Sequence, residues 1–245
     1  EPQQPINWQV LDQFSTPSGY SWPRFLHYAG NDLGFVAWSQ NRPIERFYWY
    51  PTADLEADFS AAQISHPYVQ VNNTPLKLKL GVGIAELHLA GHLAQIQINQ
   101  DSKLHSLSFS PNSSEAQTYQ LPNYPLLADA TQISVYVAPL GKAFDCSSLL
   151  QFTKLTHLNL SGRMTQLSCL AELAHLQSLA LRYLPELNEL PALSTWKDLN
   201  QFIGWNIEAN VGKLLRTQLK ALQQEREFNY SSITQLRSKS WFSTE

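Results

Sequence analysis

The stretch Leu167-SCLAELAHLQSLALR-Tyr183 sets apolar side chains at Leu170, Leu173, Leu176, Leu179 and Leu181. The opening period of three suits a short helical segment, and the closing alternation suits a strand with two inward side chains. Two flanking stretches, Cys146-SSLLQFTKLTHLNL-Ser161 and Leu190-PALSTWKDLNQFIG-Trp205, carry apolar residues at the same offsets. Equivalent positions Leu155, Leu176 and Leu199 lie 21 and 23 residues apart. Extended backwards, Leu121-PNYPLLADATQISVY-Val137 sets Tyr124, Leu127, Ala130, Ile133 and Val135 at those offsets, and its Pro122 matches Pro191. One unit cannot bury its own apolar ridge. Stacking against a neighbour removes that ridge from water at roughly 25 cal/mol per Å² of apolar surface, so the copies are expected to pack side by side.

These residues resemble bacterial leucine-rich repeats of the internalin type, most closely from Leu167 to Leu181, and the spacing lies within that family's range. The resemblance covers roughly residues 104–206. It implies a solenoid whose units each add a strand to a parallel ribbon. The family usually carries Asn just after the strand to bond neighbouring loops, whereas this chain has Arg163 and Leu184 there, with Asn206 the one candidate equivalent. An irregular solenoid with loops held by apolar contacts is the expectation.

The expected fold class is α/β: a short leucine-rich-repeat solenoid with a β-rich N-terminal cap or meander and a C-terminal capping helix. Residues 1–70 are expected to form an aromatic-rich antiparallel β domain or cap. Within it, Arg24-FLHY-Ala29, Leu33-GFVAW-Ser39 and Ile44-ERFYWY-Pro51 read as a three-stranded meander. Asp54 to Ile64 reads as a short helix. Residues 71–110, with alternating runs at Leu76-KLKL, Ile84-AELHL, Leu93-AQIQI and Leu104-HSLSF, read as strands joined by short turns that cap the solenoid. Residues 111–206 hold the repeats, opening with a polar surface loop from Ser110 to Gln120. Residues 207–245 form a helical cap: Val211, Leu214, Leu215, Leu219 and Leu222 recur at helical spacing from about Asn210 to Arg226, and a second helix is expected around Ile233 to Leu236.

At 245 residues and 43% hydrophobic content the chain can bury a full core. A net charge of −3, a pI near 6.2 and no Lys/Arg-rich run argue against nucleic acid or an anionic membrane as the main partner. No apolar stretch approaches the roughly 20 residues that span a bilayer, so no membrane insertion is expected. Cys146 and Cys169 occupy corresponding places on successive repeats; unbridged, buried thiols are the expectation and a bridge the alternative. A cytoplasmic location is favoured, and the opening EPQQP leaves periplasmic or secreted as alternatives.

Enzyme signatures are weak throughout. His88 and His92 lie four apart, but Leu87, Leu89 and Leu93 place them on a strand and turn rather than on a metal-binding helix face. Asp54, Glu56 and Asp58 cluster near Glu45 and read as a solvated face, not a catalytic pair. Gly81-VG-Ile84 lacks the lysine of a phosphate loop. No catalytic residue, metal or other cofactor is expected.

What the repeat offers is a surface. In each strand the residues between the apolar pair point outward along the concave face: Ser106, Ser108 and Ser110; Gln132, Ser134 and Tyr136; His157, Asn159 and Ser161; Ser178, Ala180 and Arg182; Gln201, Ile203 and Trp205. Tyr136, Arg182 and Trp205 share one column, Tyr183 flanks it, and Trp, Tyr and Arg dominate interface energetics. Tyr136, His157, Asn159, Arg182, Tyr183 and Trp205 are therefore the expected partner-binding residues, with the C-terminal helix a competitor for Trp205. The expected function is a non-enzymatic protein-protein interaction module, in a sharper form an inhibitor or immunity protein of a bacterial toxin or effector. The alternative is a small-ligand or glycan-binding, or enzymatic, N-terminal β domain in which Trp22, His27, Tyr28, Trp38, Tyr48 and Trp49 line a pocket and the repeats serve as a targeting arm. A purely structural, surface-displayed role is a third.

Overall fold

The computed structural model describes residues 6–13, 25–40, 42, 44–53, 55–71, 76–81, 84–91, 95–98, 104–110, 128–137 and 144–235. The chain divides into two compact units, Glu1–Asn112 and Ser113–Glu245. The protein is α/β, with few helices, and every strand pairing among the described residues is parallel.

Unit 1 contains β1 (Phe25–Ala29), α1 (Gly34–Ser39), β2 (Ile44–Tyr50), β3 (Leu55–Phe59), β4 (Ile64–Val71), β5 (Leu76–Leu80), β6 (Glu86–Gly91), β7 (Gln95–Ile98) and β8 (Ser106–Ser110). Its strands form two parallel sheets, β1-β2-β4-β6-β8 and β3-β5-β7, and from β2 onward the chain visits them alternately. The antiparallel meander is corrected: β1 and β2 run parallel, and Leu33–Ser39 contributes a helix instead of a middle strand. Parallel neighbours need a crossover. Phe35 and Trp38, three apart, bury one face of that crossover, and Asp32 Oδ1 accepts from the Gly34 N–H at 2.7 Å to start it.

The helix expected over Asp54–Ile64 is also corrected, because Leu55–Phe59 is β3. Leu55, Ala57 and Phe59 alternate with Glu56 and Asp58, a period of two that fits a strand beside the LKLKL of β5. Register sets Glu56 opposite Lys77 and Asp58 opposite Lys79, giving outward ion pairs of 3.7 and 2.9 Å. Glu56 and Asp58 of the acidic cluster thus belong to a cross-strand ladder, and Asp54 lies outside the described residues. The tight spacing of the runs at 76–110 does mean strands on short turns, but alternate runs enter different sheets. Phe35, Phe47, Trp49 and Phe59 are fully buried, with Phe47 and Phe59 centroids 6.1 Å apart and Trp49 and Phe59 5.6 Å apart, so rings from both sheets meet in one core.

Unit 2 contains β9 (Gln132–Val137), β10 (His157–Gly162), β11 (Ser178–Leu184), β12 (Gln201–Ile207), α2 (Ala209–Glu225) and β13 (Asn229–Gln235), in parallel order β9-β10-β11-β12-β13. Leu158, Leu179 and Phe202 stand abreast at one register. Between strands lie 3-10 turns at Cys146–Gln151, Ser168–Glu172 and Leu193–Thr195, closed alike by the N–H groups of Phe152, Leu173 and Trp196 on the carbonyls of Leu149, Leu170 and Leu193. Leu149, Leu170 and Leu193, then Leu155, Leu176 and Leu199, are buried at matching places, each worth about 1.5–3 kcal/mol. Trp196 fills the next equivalent site, and its buried Nε1 donates to the Leu170 carbonyl at 2.9 Å.

The turns are stitched by backbone as well as by apolar contact. Thr131 O accepts from Thr156 and His157, Thr156 O from Gln177 and Ser178, and Gln177 O from Asn200 and Gln201. These paired bonds tie the entry of each strand to that of its neighbour. Cys146 and Cys169 are bridged, Cα atoms 6.0 Å apart, which corrects the expectation of free thiols and ties two successive 3-10 turns together. At the C-terminal end the helix expected over 210–226 runs Ala209–Glu225, with the Glu208 carboxylate capping the N–H groups of Asn210 and Val211. It is a crossover, not a terminal cap. The chain continues into β13, so the second helix expected around Ile233 is corrected to a strand that pairs with β12. The expected loop residues 111–120, the first copy's Pro122, Tyr124 and Leu127, Trp22 and His92 lie outside the described residues.

Candidate interaction face

The outward positions of β9–β12 stand in three columns, set by the strand register. The first holds Gln132, His157, Ser178 and Gln201; the second Ser134, Asn159, Ala180 and Ile203; the third Tyr136, Ser161, Arg182 and Trp205. Tyr136, Tyr183 and Trp205 are 48, 49 and 46% exposed, an unusual outlay of aromatic surface for a sheet face. Trp205 is not covered by α2, which packs on the Leu193–Thr195 turn, β12 and β13 while Gln218 accepts from the Leu193 N–H at 2.9 Å. His157 is exposed and its Nδ1 lies 2.8 Å from Thr156 Oγ1. Ser178 and Ala180 are buried, so the middle of β11 is recessed; Ser178 Oγ donates to Gln201 Oε1 at 3.0 Å.

Local backbone geometry creates the aromatic pair at the rim. β10, β11 and β12 each carry one residue with positive φ near the C-terminal end: Gly162 (100°), Tyr183 (54°) and Asn206 (52°), which follow Ser161, Arg182 and Trp205 in turn. Gly and Asn take that conformation readily; a tyrosine pays roughly 1–2 kcal/mol for it. At Tyr183 the strained backbone holds the ring against Trp205, centroids 5.4 Å apart and planes at 35°. Backbone strain of this kind concentrates where a side chain is displayed for use.

Arg182 is half-buried. Its Nε is shielded from solvent with no hydrogen-bond acceptor among the described residues, and Asn159 Oδ1 is likewise shielded without a donor. Two buried polar atoms without partners on one face are exceptions that call for a cause, since such groups in folded proteins are overwhelmingly paired. Arg163, by contrast, just past β10, pairs with Glu186 at 3.1 Å.

The aromatic pocket considered for the N-terminal region divides. Trp38 and Trp49 are core residues, 5 and 0% exposed, with Trp38 Nε1 bound to Asp12 and Trp49 Nε1 to the Gly30 carbonyl; Tyr28 packs on Trp8 and Phe35. His27 and Tyr48 face the other way, in a ladder that sequence reasoning did not assemble. Register aligns His27, Tyr48, Tyr68 and His88 on β1, β2, β4 and β6, and their ring centroids lie 4.2, 5.3 and 4.3 Å apart, the outer two pairs stacked and the middle one tilted by 37°. Beside it runs a groove of about 200 Å³ that includes Arg46, His66, Glu86, Ser106 and Ser108. Burial lowers the pKa of His88 to about 4 and raises that of Tyr68; the His88 Nε2 meets Ser110 Oγ at 3.3 Å. His66 Nδ1 lies 3.0 Å from the Glu45 carbonyl and its Nε2 3.7 Å from Glu86 Oε2. The signal was present, since these four rings recur at steps of 21, 20 and 20 residues. Among the described residues no group of three or more His, Cys, Asp or Glu side chains is placed to hold a metal ion, and no helix is long and apolar enough to cross a membrane.

Comparison with protein-family models, curated proteins and solved structures found no match to the chain. The resemblance to leucine-rich repeats therefore rests on the residues alone.

Proposed function

We propose that unit 2 is a short, degenerate leucine-rich-repeat solenoid and that its outward sheet face is a non-enzymatic docking surface for another protein. Tyr136, Arg182, Tyr183 and Trp205 are the anchors, with His157 and Asn159 beside them. One observation carries the reading: three large aromatic side chains stay about half exposed on one face, one of them held there by a backbone conformation that disfavours it. An inhibitor or immunity protein that neutralises a bacterial toxin or effector is the sharper form, consistent with an exposed aromatic face. The bridge between Cys146 and Cys169 favours an oxidising compartment, hence a periplasmic or secreted location over a cytoplasmic one.

The test is affinity capture from the native host with the full chain and with Tyr136→Ala/Trp205→Ala as paired baits, followed by calorimetry on the captured protein. A partner held by the first bait and lost by the second is the expected result, each truncation costing about 1–3 kcal/mol. Equal capture by both baits moves the site off this face. A second reading, a small polar ligand in unit 1, is favoured by the groove beside the ring ladder; saturable thermal stabilisation by a glycan, abolished in Arg46→Ala, would support it.

A further inference from the structure

We infer that the partner of this face presents an aspartate or glutamate carboxylate to Arg182, between Tyr136 on one side and the Tyr183–Trp205 pair on the other. The inference rests on the docking reading and adds the chemistry of the occupant. Arg182 carries the only formal charge among the outward residues of β9–β12. It is half-buried, its Nε is out of reach of solvent, and no acceptor among the described residues meets its guanidinium. Arg42 is paired with Asp12 and Arg163 with Glu186, and Arg226 donates through its terminal nitrogens to the carbonyls of Lys197 and Trp196 although its Nε, like that of Arg182, is shielded without an acceptor.

A partly desolvated charge without a counter-charge is unfavourable, and a carboxylate relieves it through two parallel N–H···O bonds that match the guanidinium fork. Trp205, the register neighbour of Arg182, and the Tyr183 ring against it shield a seated carboxylate from water on that side and so strengthen the pair. A polyanion is a poorer fit. One cation does not neutralise a run of phosphates, and the chain's net charge of −3 repels it.

The probe is a displayed library of random dodecapeptides selected on the intact, oxidised protein. Selected peptides are then measured on Trp205→Ala, Arg182→Gln and Arg182→Lys, each checked for an unchanged melting transition. Peptides that need Trp205 should contain Asp or Glu, lose at least about tenfold in affinity on Arg182→Gln, recover part of it on Arg182→Lys, and weaken as salt rises. Replacing the peptide's acid by its amide should cost the same factor on the native protein and nothing further on Arg182→Gln. Peptides that need Trp205 but bind Arg182→Gln undiminished, or carry no acid, overturn the carboxylate and leave the docking face standing. A selection that yields only peptides indifferent to Trp205 and Arg182 alike, or none at all, overturns both.

Discussion

A step of 20 residues carries unit 1 from Tyr68 to His88 by way of a second strand, whereas a step of 21 carries unit 2 from His157 to Ser178 by way of a 3-10 turn. Register steps run 20 to 21 residues in unit 1 and 21 to 25 across β9–β12 of unit 2, so the ranges meet and length alone does not choose between the two constructions. The spacing of apolar residues within the step does. Leu76, Leu78 and Leu80, and Leu55, Ala57 and Phe59, alternate and lay down a second sheet, while Leu170, Leu173 and Leu176 recur every third residue and wind a tight turn. The two units also dress their outward faces differently. Unit 1 sets four of its rings against one another in a ladder; unit 2 spaces Tyr136 and Trp205 apart, with Arg182 between, and leaves both about half exposed.

The largest effect expected from breaking this comparison is at Gly162. A Cβ there would lie 1.6 Å from the Val137 carbonyl oxygen of the neighbouring strand, at a φ of 100° that L-residues rarely adopt. Gly162→Ala should destabilise unit 2 by roughly 3–5 kcal/mol, read by urea unfolding. Hydrogen exchange should show the loss confined to residues beyond 113 if the units hold their stability separately. Protection lost equally in both units would mean that they unfold as one.

Next in size is the bridge, which also belongs to unit 2 alone. Cys146 and Cys169 are 23 residues apart, a loop whose closure contributes about 3 kcal/mol through the unfolded chain. Reduction should lower the calorimetric transition of unit 2 and leave unit 1 where it was. Insensitivity of both transitions to reductant would show that the 3-10 turns are held by leucine packing without help from the bridge.

Unit 1 has its own handle, the buried end of the ring ladder. His88 titrates near 4 in the fold because burial disfavours its charged form, against 6.5 when solvated. The unfolded chain therefore binds the proton first. Stability is complete above about pH 6.5 and declines as pH falls towards 4, by on the order of 2–3 kcal/mol from this group. His88→Phe keeps a ring on Tyr68 and should flatten that slope in unfolding measurements between those pH values. A slope that survives the substitution assigns the acid sensitivity to another group.

How far the sequence exposed this arrangement differs between the units for a physical reason. In unit 2 the apolar period changes from three to two at β10, β11 and β12, so turn, strand and column are legible there and Tyr136, Arg182 and Trp205 fall in line from the sequence; no such change marks β13, which reads as a helix and is a strand. In unit 1 the strands alternate throughout, and alternation does not say whether neighbours run parallel or antiparallel; an antiparallel meander fits the same pattern, and the apolar run Leu33–Ser39 fits a strand as well as a helix. The decisive clue was long-range, the recurrence of His27, Tyr48, Tyr68 and His88 at nearly constant steps. The bridge between Cys146 and Cys169 was open from their corresponding positions, but nearness in a stack becomes evident only once the register is known. Least legible was the positive φ of Tyr183, because nothing in a tyrosine advertises it.

That strain gives the smallest expected effect and the sharpest contrast between a residue that holds the fold and one that serves a partner. Asn206 occupies the equivalent exit from β12 at φ 52°, so Tyr183→Asn replaces a disfavoured residue by one that tolerates the same backbone, without glycine's extra unfolded-state freedom. The loss is one ring contact with Trp205, worth about 0.5–1.5 kcal/mol when fully formed and less on an exposed rim. Relief of about 1–2 kcal/mol should exceed it, leaving a net gain near 0.5 kcal/mol in unit 2. Partner affinity should fall over the same substitution. Stability rising while binding falls is the pattern of a side chain kept for recognition at the fold's expense. A destabilised Tyr183→Asn would instead make the tyrosine part of the scaffold, its ring a brace for Trp205, and the docking face would then rest on Tyr136, Arg182 and Trp205 alone.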